Sequence, residues 1–447
     1  MSGSTSSCLS GGYPRLMRIT EVRFRGFKSL LDVTCELEQL TVITGPNGAG
    51  KTNLVDGLNF LSECFEFGLE IAVARAGGYA NIAHRGATDD APPVKISLTL
   101  EIDYPDLRRM FPRRNHQSEM PKPTTFYVIY EFTLSAESAE EFDFHVSSEY
   151  LQLRDKEGRI LQLDRRGNRL KFWRSHRMTD RSSQYSDILY PLSDDGFIHF
   201  IKRNKNPTVL MISTIRFVGS GDIFDSVARL LGDARVFQLS PHQCRLSGVS
   251  TPNARLDRHG ENLPAVADYL RRHQPDSWLK IESAMRAVIP QLESIDTTFT
   301  TDRQLALQFH ETDRERPWNS NEMSDGTVQM LALFVALFDR RLPVLIVEEP
   351  ENALHPWILR HFLDLCREQF EKQIVLTTHS PVLLDAMSPE YIRLLWSKDG
   401  QSRIAHIGDL NPAVVDMWKA GDLKTFEIYD SGIVAEYLPE IYAPRGE

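Results

Sequence analysis

The alternation of apolar and polar residues divides the first part of the chain into a strand, a loop and a helix. Apolar and polar residues alternate over Met17–Phe27, a pattern typical of a half-buried β-strand. A short apolar run at Leu40–Thr44 stops at a glycine-rich loop, and apolar residues then recur at helical spacing over Asn53–Glu66. A strand followed by such a loop and a helix is the context in which a phosphate-binding loop occurs.

Three alternating segments in the middle of the chain predict an antiparallel sheet beside this unit. They are Val94–Ile102, Thr125–Leu134 and Phe144–Leu153. The residues from Asp155 to Lys205 are polar and have little apolar periodicity, so we expect an irregular surface insertion there.

The C-terminal half alternates between helical and strand-like patterns. The helical patterns cover Asn262–Arg272, Ser277–Val288, Ser324–Leu337 and Trp357–Gln369, and the buried-strand patterns cover Pro343–Val347 and Ile374–Thr377. Strands that alternate with helices predict a parallel sheet with helices on its faces. The expected fold class is therefore α/β, with a mixed sheet, flanking helices and an inserted antiparallel β and helical subdomain.

These patterns also predict a domain organisation. We expect a disordered leader at 1–16, the two parts of the core at 17–100 and 321–410, a β-rich insertion at 101–240 with a basic loop at 155–205, a helical subdomain at 241–320, and a segment at 411–447 that docks on the core or binds a partner.

Composition narrows the class of protein. Of 447 residues, 41% are hydrophobic and 25% are charged, the usual balance of a globular protein, and no apolar run approaches the roughly 20 residues that cross a bilayer. The five cysteines form no C-x-x-C pair, which fits reduced thiols in the cytoplasm. The net charge of −10 means that any nucleic-acid contact requires a local basic patch. We expect a cytoplasmic protein without a membrane partner.

The glycine-rich loop has the residues of a Walker A motif. These residues are Gly45, Pro46, Asn47, Gly48, Ala49, Gly50, Lys51 and Thr52. Glycines let successive backbone N–H groups turn toward phosphates, and the following helix directs its positive end at them. Lys51 is expected to reach the β- and γ-phosphates, and the Thr52 hydroxyl to bind Mg²⁺. The predicted cofactors are ATP and Mg²⁺.

Two carboxylates follow the apolar run Leu345–Val347. We expect Glu348 to hold Mg²⁺, through water, and Glu349 to orient and deprotonate the water that attacks the γ-phosphate. Together with Lys51, this pair predicts an ATPase.

Two further motifs each permit two interpretations. The sequence SDGT opens an apolar helix, where Ser324 is a natural N-cap and the exposed N–H groups can bind an anion, or the helix is simply capped. The sequence TTHSP follows a buried strand, where His379 either donates to a γ-phosphate oxygen or is a hydrogen-bonded structural residue.

In their order along the chain, GPNGAGKT, MSDGT, LIVEEPENALHP and TTHSP resemble the ABC-type ATPase heads of the RecF, SMC and OLD families. The chain looks most like the small stand-alone bacterial ATPases of that group, several of which serve in anti-phage defence, such as those of the Septu, PARIS and retron systems. The segments FRGFKSL, IAHRG and RHGENLPAVADYL fit the same group, so the resemblance spans residues 17–395.

The resemblance implies a role for each motif. Glu349 would be the catalytic base, His379 the switch histidine, and the residues from Glu351 to Leu354 a D-loop across a dimer interface. The implied catalytic residues are Lys51, Glu349 and His379; the implied nucleotide-binding residues are Lys28, Ser29, those of the Walker A motif, Asn53, Ser324, Asp325 and Gly326; and the implied metal-binding residues are Thr52 and Glu348. Arg85 in IAHRG is a further candidate near the nucleotide.

A signature motif that contacts the γ-phosphate of the opposite subunit implies a two-fold homodimer or a higher oligomer that encloses ATP. Two departures from the group matter. No glutamine can be assigned to the Q-loop, and the signature SDGT differs from the transporter motif, which favours the non-transporter branch. Glu348 stands where many relatives have Asp, and it is a longer Mg²⁺ partner that this group tolerates.

The partners are inferred from what the motifs leave out. The chain has no heptad run of the SMC type, and the residues from Pro381 to Glu447 are too few for the nuclease domain of the OLD type, so we expect a separately encoded nuclease as the effector. A nucleic acid could contact Arg165–Arg181, where basic residues mix with Phe172 and Trp173, or this segment is a solvated loop.

The leading hypothesis is an ATPase that regulates a separate nuclease in anti-phage defence. One alternative is a DNA-repair ATPase that engages DNA directly, and another is a nucleotide-gated scaffold that hardly hydrolyses ATP. The aromatic residues between Val414 and Tyr442 dock on the ATPase core or bind a partner.

Overall fold

The computed structural model describes residues 17–84, 92–103, 125–136, 144–176, 206–213, 223–410, 412–421 and 423–430. The expected leader at 1–16, the candidate Arg85, the part of the expected basic loop at 177–205 and the residues after 430 lie outside the described residues.

The strands of the described chain are β1 (Arg18–Phe27), β2 (Leu30–Glu36), β3 (Leu40–Thr44), β4 (Val94–Asp103), β5 (Thr125–Ser135), β6 (His145–Asp155), β7 (Gly158–Arg166), β8 (Arg169–Arg174), β9 (Arg235–Phe237), β10 (Leu292–Phe299), β11 (Leu305–Glu311), β12 (Trp318–Asn319), β13 (Val344–Glu348), β14 (Gln373–Thr377), β15 (Ile392–Lys398) and β16 (Gln401–His406). The helices are α1 (Lys51–Glu66), α2 (Leu69–Arg75), α3 (Tyr79–Ile82), α4 (Ile223–Gly232), α5 (Pro241–Cys244), α6 (Leu263–His273), α7 (Pro275–Val288), α8 (Asp325–Phe338), α9 (Pro356–Arg367), α10 (Pro381–Asp385), α11 (Ile407–Leu410), α12 (Pro412–Ala420) and α13 (Thr425–Asp430).

A six-stranded sheet in the order β16-β15-β3-β14-β13-β9 forms the centre of the fold. Its strands β15, β3, β14, β13 and β9 run parallel, and β16 pairs antiparallel with β15 at one edge. Every residue of β3, β13 and β14 is buried, as expected for strands that helices cover on both faces. The predicted α/β fold class is confirmed.

A seven-stranded antiparallel sheet in the order β2-β1-β4-β5-β6-β7-β8 lies beside it. Buried and half-buried residues alternate along β4 and most of β5, so one face of this sheet packs into the core. The predicted antiparallel sheet is confirmed, and it also includes β1 and β2. The expected boundary at residue 100 falls inside β4, and β9, expected in the insertion, lies in the parallel sheet.

The helix α1 lies in the core between the two sheets. Its buried residues share one apolar cluster with Ile43 and Ile346 of the parallel sheet and with Phe24 and Ile96 of the antiparallel sheet. A Cβ at Gly57 would lie 2.7 Å from the Phe24 ring, so glycine permits this close approach. The glycine-rich loop therefore begins from a strand and ends in a helix that are both fixed by packing.

The residues from 155 to 174 correct one prediction. They continue β6 and form β7 and β8 with tight turns, instead of an irregular loop. The apolar signal is weak because these strands expose one face, and Ile160, Leu161 and Leu163 alone of β7 are buried apolar residues.

The residues from 241 to 320 correct a second prediction. The helices α6 and α7 match the expected helical subdomain, but β10, β11 and β12 form a three-stranded antiparallel sheet in the same segment. These short strands alternate buried and half-buried residues over only part of their length, which makes their period difficult to recognise.

A second apolar cluster covers the other face of the parallel sheet and includes α8 and α9. Trp418, Phe426 and Tyr429 from α12 and α13 pack against it while half-buried. The Thr425 hydroxyl donates to the carbonyl of Met387 at 2.6 Å. The described part of the C-terminal segment therefore docks on its own core. Among the described residues, no helix combines the length and the apolar character needed to span a bilayer.

Candidate active site

The glycine-rich loop connects the carboxyl end of β3 to the first residue of α1. Gly45 and Gly50 have positive φ angles of 154° and 101°. A Cβ at Gly45 would lie 1.9 Å from the carbonyl oxygen of Leu395, and one at Gly50 would lie 2.2 Å from the Ser402 hydroxyl. Only glycine fits both positions, so the shape of the loop depends on these two residues.

Lys51 folds back onto the loop that precedes it. Its ammonium donates to the carbonyl oxygens of Gly45 at 2.9 Å and Pro46 at 3.1 Å, and the residue is 8% exposed. Burial lowers the pKa of Lys51, and the nearby carboxylates of Glu349, Glu348 and Glu351 oppose this effect. The cation therefore lies at the loop, next to the acidic residues.

Two residues that were expected to bind nucleotide, Ser29 and Asn53, brace the loop from behind. The Asn53 amide donates to the Ser29 hydroxyl at 2.7 Å, and the hydroxyls of Ser29 and Ser402 are 2.8 Å apart. Ser402 in turn donates to the carbonyl of Ala49 at 2.8 Å. The sequence patterns did not identify Ser402, because it lies on a hairpin far along the chain.

Lys28, the other N-terminal residue expected at the nucleotide, forms an ion pair with Asp56 of α1 at 2.6 Å. Its φ angle is 48°, in the left-handed region that few residues other than glycine adopt. The neighbouring His84 ring contacts the Lys28 carbonyl at 2.5 Å, so the IAHRG and FRGFKSL segments meet here.

The side-chain oxygens of Thr52 and Glu348 lie next to each other at the end of the loop. The Thr52 hydroxyl donates to Glu348 Oε1 at 2.7 Å. Glu348 is 4% exposed, and within the described chain its Oε2 is buried without a hydrogen-bond partner. A buried carboxylate with an unused oxygen beside a threonine hydroxyl fits the oxygen-rich coordination of Mg²⁺.

Glu349 and His379 lie beside each other at the same edge of the sheet. The backbone N–H of Glu349 donates to the Thr377 carbonyl at 2.9 Å, and Glu349 adopts a φ angle of 48°. His379 Nε2 lies 3.9 Å from Glu349 Oε1, and the two side chains are 34% and 39% exposed. Both side chains are therefore fixed at their backbones and open to solvent at their tips.

The pKa of His379 lies below its ordinary value. Burial is the main cause, the positive charge of Lys51 acts in the same direction, and Glu349 and Glu351 act against it. A neutral imidazole can donate one hydrogen bond and accept another, so its tautomer can respond to a new neighbour.

Glu351 holds the segment that carries His379. Its Oε1 accepts hydrogen bonds from the Thr378 hydroxyl at 2.9 Å and from the His379 backbone N–H at 2.8 Å. Its Oε2 is buried without a hydrogen-bond partner among the described residues. The sequence assigned Glu351 to a loop that faces another subunit, whereas this carboxylate binds within its own chain.

The SDGT motif starts α8 on the exposed surface. Ser324 caps the helix by accepting from the Thr327 backbone N–H at 3.2 Å, and Arg245 forms an ion pair with Asp325 at 2.5 Å. A Cβ at Gly326 would lie 2.8 Å from the carbonyl of Ala353, so this motif touches the loop that contains Glu351. Ser324 and Asp325 themselves are exposed.

A glutamine that sequence reasoning could not assign lies at this edge of the sheet. Phe237 of β9 is the register partner of Val347, so Gln238 follows β9 at the level where Glu348 ends β13. The backbone N–H of Gln238 donates to the carbonyl of Arg258 at 2.9 Å. Parallel strand order, which the sequence does not reveal directly, is the signal that identifies it.

In the described part of the segment expected to contact nucleic acid, only some residues are exposed. Arg165 is 7% exposed and donates to the carbonyls of Val209 and Asn206. This corrects its expected role in nucleic-acid binding, because the buried side chain supports the fold. Phe172 packs toward the core. The exposed basic and aromatic residues in the described part of the segment are Arg166, Arg169, Lys171, Trp173 and His176, and Arg159 stacks 3.8 Å over the Trp173 ring.

The described residues thus bring a glycine-rich loop, a lysine, an acidic pair and a histidine to one edge of a parallel sheet. Such a set can bind phosphates, hold a divalent cation and orient a water molecule. Ser324 to Gly326 lie on the exposed surface of the same chain, next to the loop that follows the acidic pair.

Comparison with known proteins gives one family and two curated relatives. Residues 40–385 match the family model described as "AAA domain, putative AbiEii toxin, Type IV TA system". The OLD nuclease of Thermus scotoductus (strain ATCC 700910 / SA-01) is 32% identical over 105 residues, which is 22% of this chain and 20% of that protein. The DNA replication and repair protein RecF of Rhizobium meliloti (strain 1021) is 38% identical over 77 residues, which is 17% of this chain and 19% of that protein. The matches span about a fifth of the length of these relatives.

Solved structures of SMC heads align over most of the chain. The SMC head bound to the C-terminal winged-helix domain of ScpA has a TM-score of 0.49 and 14% identity, covering 87% of this chain and 96% of that chain. The SMC head domain from Thermotoga maritima has a TM-score of 0.38 and 13% identity, covering 87% of this chain and 98% of that chain.

The electrostatic coupling at His379 predicts opposite effects of two substitutions. Lys51→Met removes a repelling positive charge, so the pKa of His379 should rise, whereas Glu349→Gln removes an attracting negative charge, so it should fall. NMR titration of the imidazole signal, assigned with His379→Asn, measures both shifts. The exposed Lys171→Met is the control, and equal shifts in all three variants would contradict the arrangement.

Proposed function

Because the chain belongs to this AAA-domain family and is an ATPase of the RecF/SMC/OLD type, we propose that it hydrolyses ATP at a site completed by a second copy of the chain. The observation that carries the proposal is the contact between Thr52 and Glu348 at 2.7 Å, with Glu349 and His379 at the same edge of the sheet. A phosphate loop, a metal carboxylate and a base are then within reach of one terminal phosphate.

The loop residues Gly45 to Thr52 would bind the phosphates through their backbone N–H groups, and the Lys51 ammonium would exchange its two carbonyl partners for phosphate oxygens. Lys28 and Ser29, in the turn between β1 and β2, and Asn53 of α1 would support the loop. Thr52 and Glu348 would hold Mg²⁺, which supplies charge neutralisation at the β- and γ-phosphates. Gln238, at the level of Glu348, is a further candidate for this region.

Glu349 would act as the general base. Its carboxylate is anchored through the backbone at Thr377 and is 39% exposed, so a water molecule can reach it. The water oxygen forms a bond to the γ-phosphorus, its proton goes to Glu349, and the bond to the β–γ bridging oxygen breaks. His379 would donate a hydrogen bond to a γ-phosphate oxygen, which the neutral ring can do.

The exposed SDGT motif supports a site shared between two copies. Ser324 to Gly326 would contact the γ-phosphate held by a partner chain, through the N-terminus of α8. A two-fold assembly would then contain two such sites. Trp357, which is 45% exposed at the start of α9, lies shortly after the loop that contains Glu351, and so offers an apolar contact for the same face.

The assembled ATPase would regulate a nuclease supplied by a separate chain in bacterial anti-phage defence. Two similarities support this part of the proposal: the matched family is described with a toxin of a type IV system, and one curated relative is an OLD nuclease. Closure around ATP would change the exposed surface near α8 and α9, which gives an effector a nucleotide-dependent surface to bind.

A second candidate is an ATPase that engages nucleic acid directly, as in DNA repair. The exposed face of β8 favours it, because Arg169, Lys171 and Trp173 lie in a row on one side of this edge strand. Cations next to an exposed aromatic ring suit phosphate contact with base stacking.

Replacing the proposed base should trap the closed state. Glu349→Gln should bind ATP and elute as a stable dimer, with phosphate release reduced by about 100-fold or more. Light scattering and a phosphate-release assay measure the two properties. Glu371→Gln, exposed before β14, is the control. Phosphate release at the wild-type rate from Glu349→Gln would overturn the assignment, and a wild type that binds ATP without turnover would favour a nucleotide-gated scaffold.

Mixing two inactive variants tests whether the site is shared. Lys51→Met and Ser324→Arg each disable both sites of a homodimer, but a mixed dimer retains one site with an intact loop and an intact signature. Random mixing should therefore restore about a quarter of the wild-type turnover. Lys51→Met mixed with Glu349→Gln is the matched control, because both residues belong to the same half and no site is restored. Turnover that stays at the level of the single variants would contradict a shared site.

Neutralising the exposed cations of the β8 hairpin separates the two candidates. If nucleic acid binds this face, the triple variant Arg166→Gln, Arg169→Gln and Lys171→Gln should lose most DNA stimulation of turnover. Three exposed arginines in the loops that connect β10, β11 and β12, namely Arg303, Arg314 and Arg316, provide a variant of equal charge change. Turnover that DNA does not stimulate in the wild type would leave the regulator of a separate nuclease as the better reading.

A further inference from the structure

The unused oxygen of Glu348 faces Arg258, the first residue of the segment RHGENLPAVADYL, for which the sequence predicted no individual role. Arg258 Nη2 lies 3.6 Å from Glu348 Oε2, the oxygen that has no hydrogen-bond partner among the described residues. Oε1 of the same carboxylate accepts from Thr52 at 2.7 Å. One side of the carboxylate is thus joined to the P-loop helix, and the other side is next to a guanidinium.

Arg258 is shared between two carboxylates. The same Nη2 atom lies 3.4 Å from Asp56 Oδ1, and Asp56 Oδ2 pairs with Lys28 at 2.6 Å. Charges therefore alternate in sign along the series Lys28, Asp56, Arg258 and Glu348. Neither contact of Arg258 is a short bidentate pair, and its Nε is buried without a partner in the part of the chain that is described. The guanidinium therefore lies between the carboxylates of Asp56 and Glu348 and forms a long, single contact with each.

The backbone that carries Arg258 is tied to the edge of the parallel sheet. The carbonyl of Arg258 accepts from the Gln238 N–H at 2.9 Å, and the His259 ring contacts the Gln238 carbonyl at 2.8 Å. Because β9 pairs with β13, the segment before α6 keeps a fixed distance from Glu348.

A cleft beside α1 gives the guanidinium an alternative location. The cleft has a volume of about 470 Å³, and Arg258 lines it together with Asp56, Glu63, Glu66 and Asp257. The Arg258 side chain is 32% exposed. Glu63 and Glu66 already pair with Arg75 and Arg235, so an arginine that leaves Glu348 finds space in the cleft and Asp56 as its acceptor.

We infer that Arg258 is a positioning residue for Glu348. Its guanidinium neutralises this carboxylate before the metal binds, and it moves toward Asp56 when Mg²⁺ occupies the site. This inference rests on the proposed function, since it concerns the metal that accompanies ATP. Arg258 acts through Glu348 and does not touch the nucleotide. Two cations compete for one buried carboxylate oxygen, so the guanidinium lowers the affinity of the site for Mg²⁺.

The two carboxylate partners of Arg258 predict substitutions with effects of opposite sign. Without the guanidinium, the buried charge of Glu348 has one competing cation fewer beside it, so Mg²⁺ should bind more tightly. Without the Asp56 carboxylate, Arg258 loses its alternative acceptor and pairs with Glu348 more strongly, so Mg²⁺ should bind more weakly. A residue that served only the stability of the fold would not change the metal dependence in opposite directions.

The experiment measures the affinity of the full chain for AMP-PNP by calorimetry, once with Mg²⁺ and once with EDTA. The dissociation constant in EDTA divided by the dissociation constant with Mg²⁺ reports the coupling between metal and nucleotide. Relative to the wild type, the ratio should increase about tenfold in Arg258→Met, which corresponds to about 1.4 kcal/mol. It should decrease in Asp56→Asn and stay near the wild-type value in Arg258→Lys, which retains the charge.

Arg255→Met is the matched control, because Arg255 lines the same cleft but pairs with Asp233 at 2.5 Å. Its ratio should be unchanged. A ratio that is unchanged or lower in Arg258→Met, with AMP-PNP still bound, would overturn the inferred role of Arg258 but leave the proposed function intact. If Arg258→Met does not fold, a ratio in Asp56→Asn that equals or exceeds the wild-type value does the same. Failure of the wild type to bind AMP-PNP would instead contradict the proposed function.

Discussion

The hydrogen bond from Thr52 to Glu348 depends on the register of three parallel strands. Thr377 pairs with Glu348 on one side and with Ile43 on the other, so β3, β14 and β13 end at one level. The P-loop, His379 and the acidic pair each follow one of these ends. A shift of one residue in any strand would move a side chain to the opposite face of the sheet and separate these groups.

The charges at this edge are balanced by contacts that a nucleotide can replace. Glu348, Glu349 and Glu351 lie close together, and Lys51 is the cation that all three influence. Lys51 donates to loop carbonyls, and Arg258 is shared between Glu348 and Asp56, so neither cation has a single carboxylate partner at this edge. The exceptions are the bonds from Glu351 to the backbone and hydroxyl around His379, which keep the histidine segment in place.

Local patterns in the sequence predict the residues near the P-loop because those residues are close in the chain. The strand, loop and helix around Lys51, and the alternation along β4 to β6, each have a local period or motif. Ser402 and Gln238 have none: Ser402 reaches the Ala49 carbonyl across 353 residues, and Gln238 is recognisable only from the pairing of β9 with β13. Arg258 begins the segment RHGENLPAVADYL, but its proximity to Glu348 depends on the fold. Arg165 misled the prediction because a basic residue among other basic residues gives no sign that it is buried.

The close approach of Gly326 to Ala353 limits how the site can be dissected by mutagenesis. A side chain at position 326 would push against the carbonyl of Ala353, two residues after the glutamate that clamps the histidine segment. A single substitution there would have two effects at once, because it would alter the exposed start of α8 and an interior support of the histidine segment. The exposed Ser324 has no such steric contact with Ala353. A substitution at Ser324 therefore tests the surface alone, whereas one at Gly326 tests the surface and the interior together.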